Sequence, residues 1–479
     1  MLLSKLGQSL EVSNEMRQTM LIIFLTLLPL CLFGELIDFV PADYDFFLIF
    51  KDNGKYYQKV SSIQFFNFLL GENGLGLEYV TKSMLENIGY STRVSPDVLY
   101  EALSRSILFA SKGIVLDVGS FFSVDLNYYV EALRNIGTNS ILVFETNKPE
   151  AFIKLVAGIT NLKVSVNEKT WILQDTDVAI FARYHKGYLV LSGSKSAVEK
   201  AIDVYDRPTD QFSYRYPVKD LVNQSTWICG FFKGNSFSTN LVGMDTHSID
   251  SDYFTIIGIP SDESLVVEVK QYLKKNTDLS KYLSSTITMR NMPVIGNFAF
   301  SATASGPSDI AQSITSWFQG AQEEVRKVYQ IISSILDVST GRVYVTGDIA
   351  GEQVRFAAIF NLTTDFDMNL IKSYGARDFG SELRLPILNG FVSFFTLGKD
   401  LIVTNMTREE YQRASNRKRL RDDAAYQYLS KKFPDKDMMR VYADLGSIIE
   451  SMLGSKARGR VLFSQFVDSG VIIYRVEVM

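Results

Sequence analysis

Val178-Ala-Ile-Phe-Ala-Arg-Tyr-His-Lys-Gly-Tyr-Leu-Val-Leu-Ser192 reads as two short strands around a His185-Lys-Gly turn, followed by a helix from about Ser196 to Val204. Apolar runs joined by so short a turn must pair antiparallel. The same succession returns at Phe391-Val-Ser-Phe-Phe-Thr, the turn Leu397-Gly-Lys-Asp, Leu401-Ile-Val-Thr404 and a helix from near Thr407. Both helices open on a capping box, Ser196-Ala-Val-Glu199 and Thr407-Arg-Glu-Glu410, in which hydroxyl and carboxylate each satisfy a backbone N–H that the helix leaves open.

The correspondence runs outward in both directions. Ile141-Leu-Val-Phe-Glu145, with a helix that has Pro149 in its first turn and Gly158 just past its end, matches Phe356-Ala-Ala-Ile-Phe360, with a helix from about Asp365 to before Gly375. Upstream, Gly113-Ile-Val-Leu-Asp117 matches Gly341-Arg-Val-Tyr-Val345, and the stretch from Val40 to Phe50 matches Met292 to Phe300. Downstream, Ile228 to Gly234 matches Arg440 to Gly446, and the hairpin Tyr253–Ile259 with Leu265–Lys270 matches Val461–Val467 with Val471–Val478. The offsets fall from about 252 to about 206 residues and never change order, as one duplication with insertions in the first copy would give. The expected fold is α+β. It has two related halves, about 36–275 and 276–479, each a mainly antiparallel sheet with helices packed on one face. Much of the first half's excess is an insertion at about 52–110.

The uncharged run Met20–Gly34 follows Arg17 and is short for a membrane span, which needs about 20 residues, but suits the core of an export signal. Residues 1–35 are therefore expected to be a hydrophobic leader helix, acting as signal peptide or membrane anchor. Cleavage near Gly34, lipid attachment at Cys31 and retention as an anchor all stay open, as does a start at Met1 or Met16. With Cys31 in the leader, Cys229 has no partner for a disulfide, and its apolar surroundings suggest a buried strand. The body has ordinary globular composition, 46% hydrophobic and 21% charged, and must stand on core packing alone. A net charge of −4 argues against a nucleic-acid partner.

No chemical constellation rises out of the sequence, so no catalytic, cofactor or metal residue is expected. His185 reads as an exposed turn residue, and His247 lies in an acidic turn, Asp245 to Asp252, whose spacing fits neither a calcium loop nor a zinc motif. Ser194 and Ser196 flank Lys195 with the spacing of a Ser–Lys hydrolase, but they are better used as helix caps and lack the nucleophile-elbow glycines. Gly71, Gly74 and Gly76 do not follow dinucleotide spacing. The basic run Arg417–Arg421 ends in Asp422 and Asp423 and reads as a solvated connection.

The segment Lys186-Gly-Tyr-Leu-Val-Leu-Ser-Gly-Ser194, with the Pro41-Ala-Asp43 strand and the apolar leader, resembles a bacterial family catalogued as domain of unknown function 3352. The resemblance implies an envelope location and supplies no activity. The expected function is that of a non-enzymatic, extracytoplasmic, envelope-associated scaffold or interaction protein. Its partners would be envelope proteins or cell-wall or membrane components, with the membrane reached through an uncleaved leader. The alternative is a carrier or sensor that binds an apolar or polymeric ligand at the junction of the halves.

Overall fold

The computed structural model describes residues 36–113, 116–117, 137–176, 178–234, 237–238, 251–275, 289–303, 323–350, 353–387, 390–434 and 437–479. The leader, His247, an expected helix from Asp125 and the first part of an expected helix at 309–337 lie outside them.

One antiparallel sheet organises the described residues. Its first ten strands are β1 (Phe46–Phe50), β2 (Ile107–Ser111), β3 (Ser140–Glu145), β4 (Lys163–Asn167), β5 (Thr170–Gln174), β6 (Ala179–His185), β7 (Tyr188–Ser192), β8 (Ile228–Lys233), β9 (Ser251–Pro260) and β10 (Leu265–Leu273). Ten more follow: β11 (Phe298–Thr303), β12 (Ser339–Ala350), β13 (Gln353–Leu362), β14 (Arg377–Asp378), β15 (Leu383–Ile387), β16 (Gly390–Leu397), β17 (Asp400–Thr404), β18 (Met439–Ala443), β19 (Val461–Asp468) and β20 (Val471–Val478).

The ladder pairings place them in one open run. From one edge to the middle the order is β4-β5-β6-β7-β3-β2-β1-β8-β9-β10. From the other edge it is β14-β15-β16-β17-β13-β12-β11-β18-β19-β20. The middle strands β10 and β20 pair from Leu265↔Val478 to Tyr272↔Val471. The rank of each strand from its edge therefore defines a counterpart on the other side. By that measure β12 answers to β2, not to Gly113–Asp117, whose last two residues form a small parallel pair with Phe237–Ser238. The edge strands β4, β5, β14 and β15 were not anticipated.

Helices cover both faces of the sheet, where one covered face was expected. Beyond β1, the chain forms α1 (Asn53–Ser62), α2 (Gln64–Leu70), α3 (Leu77–Thr92) and α4 (Asp97–Ser104). Residues of α3 and α4 join α5 (Pro149–Thr160) in a core with Phe144, Leu173, Ala182 and Leu191. The opposite face holds Phe47, Ile49, Leu108, Val143 and Phe231 under α6 (Lys195–Tyr205), α7 (Phe212–Arg215) and α8 (Lys219–Val222). Toward the other edge, α9 (Glu323–Asp337) and α10 (Met368–Ser373) pack over Phe360, Phe394 and Val403. Across the sheet, α11 (Arg408–Ser415) and α12 (Ala424–Ser430) cover Ile359, Ile402 and Tyr442. A last helix, α13, spans Leu445–Leu453. Strands whose alternate residues are all apolar bury both sides only if both are roofed.

Two helix details differ from expectation. The cap of α6 is Ser194, whose hydroxyl accepts from Ala197 N at 3.4 Å, so the box read at Ser196 is not used. The Thr407–Glu410 box of α11 forms as read, with Glu410 Oε2 accepting from Thr407 N at 2.8 Å. Gly158 lies inside α5, which ends at left-handed Asn161.

Candidate functional site

Because opposed residues on antiparallel strands share a face, one register row can be followed across the sheet. On the first side it runs Val190, Val143, Leu108, Ile49, Cys229, Ile257 and Glu268. It continues through Arg475, Ser464, Arg440, Ser301, Tyr344, Ile359 and Ile402. Rank by rank, apolar Ile257, Cys229, Ile49 and Leu108 correspond to polar Ser464, Arg440, Ser301 and Tyr344. The same layer is a hydrocarbon core on one side and a polar core on the other.

The polar core is held together by charge. Arg342 Nε donates to Ser301 Oγ at 3.0 Å and Arg342 Nη2 to Asp437 Oδ1 at 2.6 Å. Arg440 Nε lies 2.7 Å from the other Asp437 oxygen. All three charged side chains are 5% exposed or less, and their desolvation is offset by these mutual contacts together with neutral acceptors such as Pro434 O, to which Arg440 Nη2 donates. Ser464 Oγ is buried with no hydrogen-bond partner among the described residues. Tyr344 donates to Pro293 O at 2.7 Å, and burial pushes its phenol well above the usual range.

A cavity opens on this core. Its inner chamber, about 160 Å³, is faced mostly by apolar atoms and includes Met289, Met292, Tyr344 and Ile359, with the head of Arg342 at its wall. An outer chamber of about 460 Å³ is more polar and is bounded by Tyr411, Gln412, Asn416 and Arg419. Met292, Ile359 and Asp400 line both and form the neck. Asn361 Nδ2 donates to Asp400 Oδ1 at 3.0 Å. Arg419 Nη1 donates to Asn291 O at 3.3 Å. The carboxylate and the guanidinium are not paired with each other, and neither has an ion-pair partner among the described residues. Burial, then the nearby Asp400 charge, pushes the Tyr411 phenol up to about 12.

The corresponding place on the first side is filled. Phe39, fully buried, stacks on Tyr205 with centroids 4.3 Å apart and meets Tyr188 edge-on at 5.2 Å. His185 closes the group, its ring 6.5 Å from Phe39 and its Nε2 3.4 Å from Asp206 Oδ1, so it is not the exposed turn residue expected. Hairpin register sets Tyr188 against Asp400 and His185 against Leu397. The isolated bridges Pro41↔Gln211 and Pro293↔Arg419 set Gln211 against Arg419, and count back from the prolines to set Phe39 against Asn291. Three aromatic rings on one side thus hold the positions of an amide, a carboxylate and an aliphatic side chain on the other.

The remaining sequence candidates stay apart from the cavity. Ser194 and Ser196 hydrogen-bond each other at 2.8 Å at the start of α6. Cys229 is buried in β8. In the basic run, Lys418 pairs with Asp423 at 2.6 Å and Leu420 is buried, while Arg419 turns to the cavity. Sequence reading passed over Asp400 as turn material and Arg419 as a solvated charge. A residue-by-residue alignment of the two stretches read as copies would have drawn attention to both. Among the described residues, no cluster of three or more His, Cys, Asp or Glu could hold a metal ion, and no helix is long and apolar enough to cross a membrane.

Neither a known protein family nor a curated protein matches the sequence. Among solved structures the chain is similar to crystal form III of TP0453, at 10% identity over 50% of this chain and 81% of that one, with a TM-score of 0.30. Crystal form I of the same protein gives 10% identity over 41% and 94%, with a TM-score of 0.25.

Proposed function

We propose that the chain is a non-enzymatic, extracytoplasmic interaction protein of the cell envelope, built from two related halves behind the apolar leader of residues 1–35. The mirrored strand order supports the relation of the halves, and the uncharged run Met20–Gly34 supports export. The observation that carries the reading is a set of large apolar side chains left in solvent on the α1–α4 segment. Tyr79, Val80 and Tyr90 on α3 are 64%, 59% and 85% exposed, with Leu75 and Leu77 beside them. Single exposed apolar residues are ordinary, whereas several on one segment mark a contact surface. Envelope proteins or membrane components are the partners this surface would meet.

A photo-activated cross-linker placed at 79, 80 or 90 in cells making the full chain tests the reading. Discrete adducts at these positions, and none at exposed Lys154 on α5, are expected. A leader-fused reporter active only in the cytoplasm, or no adduct at any of the three positions, would overturn it.

A further inference from the structure

The cavity beside α11 carries an inference of its own, independent of the α3 surface. Two opposite charges line it without neutralising each other: Asp400 at the neck and Arg419 on the outer wall. Each is half-buried and held by a neutral amide group, Asn361 for Asp400 and the Asn291 carbonyl for Arg419, so its lost solvation is only partly offset. A ligand carrying both complementary signs would supply the rest. The inner chamber beyond Asp400 presents mostly apolar atoms, and its volume matches a benzene-sized group. Arg342 at its wall is already engaged by Ser301 and Asp437, so the chamber offers shape and apolar contact more than a free charge.

We propose that this cavity binds a free α-amino acid with an apolar side chain. The ammonium sits on Asp400, the carboxylate on Arg419, and the side chain enters the chamber between Met289, Met292 and Ile359. Asn361 holds the Asp400 carboxylate in place through its amide hydrogen bond. Tyr411, raised by burial and by Asp400, stays a neutral hydroxyl at the roof. The first side lacks the two charges, since Tyr188 and Gln211 hold the positions that correspond to Asp400 and Arg419. The two sides of the sheet thus divide the work, one as solid support and one as receptor.

The test is calorimetry and thermal unfolding of the full chain with L-leucine, L-methionine, N-acetyl-L-leucine, L-leucinamide and glucose. Leucine or methionine is expected to bind and raise the unfolding midpoint, since a ligand that binds only the folded state stabilises it. N-acetyl-leucine lacks the ammonium and leucinamide lacks the carboxylate, so each is expected to bind at least about tenfold more weakly. Asp400→Asn, which keeps the bond to Asn361, and Arg419→Gln should each lose leucine binding while their ligand-free midpoints stay near that of the parent. No binding of either amino acid, equal binding of the blocked analogues, unchanged binding in both variants, or a shift with glucose alone would overturn the proposal.

Discussion

At the scale of single residues, the charged core under α12 makes stability depend on pH. Asp423 caps α12 through Tyr426 N at 3.0 Å, accepts from Tyr442 OH at 2.8 Å and pairs with Lys418. Burial raises its carboxyl, but the Lys418, Tyr426 and Tyr442 contacts together outweigh burial and leave it below its ordinary value of 3.8. A carboxylate held below its unfolded value stabilises the fold at pH above that value, and the contribution fades as pH falls through the folded value. Urea midpoints should therefore show Asp423→Asn weaker than the parent at pH 7, with the gap closing below pH 3.8; a gap that stays constant to pH 3 would refute this. None of these contacts was legible in the sequence, where Asp422 and Asp423 simply ended a basic run. Charge partners brought together across 19 residues, as Tyr442 and Asp423 are, depend on the sheet register and leave no local pattern.

At the scale of elements, the strands and caps were more legible than the packing. The hairpins were read because a two-residue period and a turn are local, and Lys186-Gly187 adopts the positive φ of 48° and 94° that such a turn needs. The short edge strands were missed because β4 is exposed along its whole length and lacks the apolar alternation that marks a half-buried strand. Gly158 was misread as a helix stop for a related reason: its role lies in another helix. A Cβ there would stand 2.3 Å from Thr92 Cγ2 and 3.1 Å from Ile88 Cγ2 of α3. Gly158→Ala gains up to about 1 kcal/mol of helix propensity. Overpacking should cost about 1–3 kcal/mol and win, since a β-branched side chain on a helix has little freedom to move aside. Thr92→Ser removes the obstructing methyl and keeps the hydroxyl bond to Ile88 O, so the pair should recover most of the loss in a double-mutant cycle. Additive losses would show that the two helices do not meet there.

At the scale of the whole molecule, the seam decides whether the chain behaves as one body. The last described strand before residue 276, β10, lies directly against β20 along eight residue pairs. At the centre Glu268 and Arg475 face each other, and they hold the same rank and register on their own sides. Arg475 Nε donates to Glu268 Oε2 at 2.7 Å. Glu268 is 7% exposed in its side chain, so a like charge in its place would sit buried and unpaired. Glu268→Arg is therefore expected to cost about 3–5 kcal/mol. Among the described residues the loss falls on the one ladder that joins the two sets of ten strands, so it should also uncouple them. With Trp171, Trp227 and Trp317 replaced by Phe and Tyr374, half-buried at the end of α10, replaced by Trp, a single Trp reports on residues 276–479. In that background the parent should give one unfolding transition by fluorescence and circular dichroism alike. Glu268→Arg should split the two signals, and adding Arg475→Glu, which restores opposite charges across the seam, should bring them back together. Coincident transitions in the Glu268→Arg variant would mean that contacts other than this ladder carry the coupling.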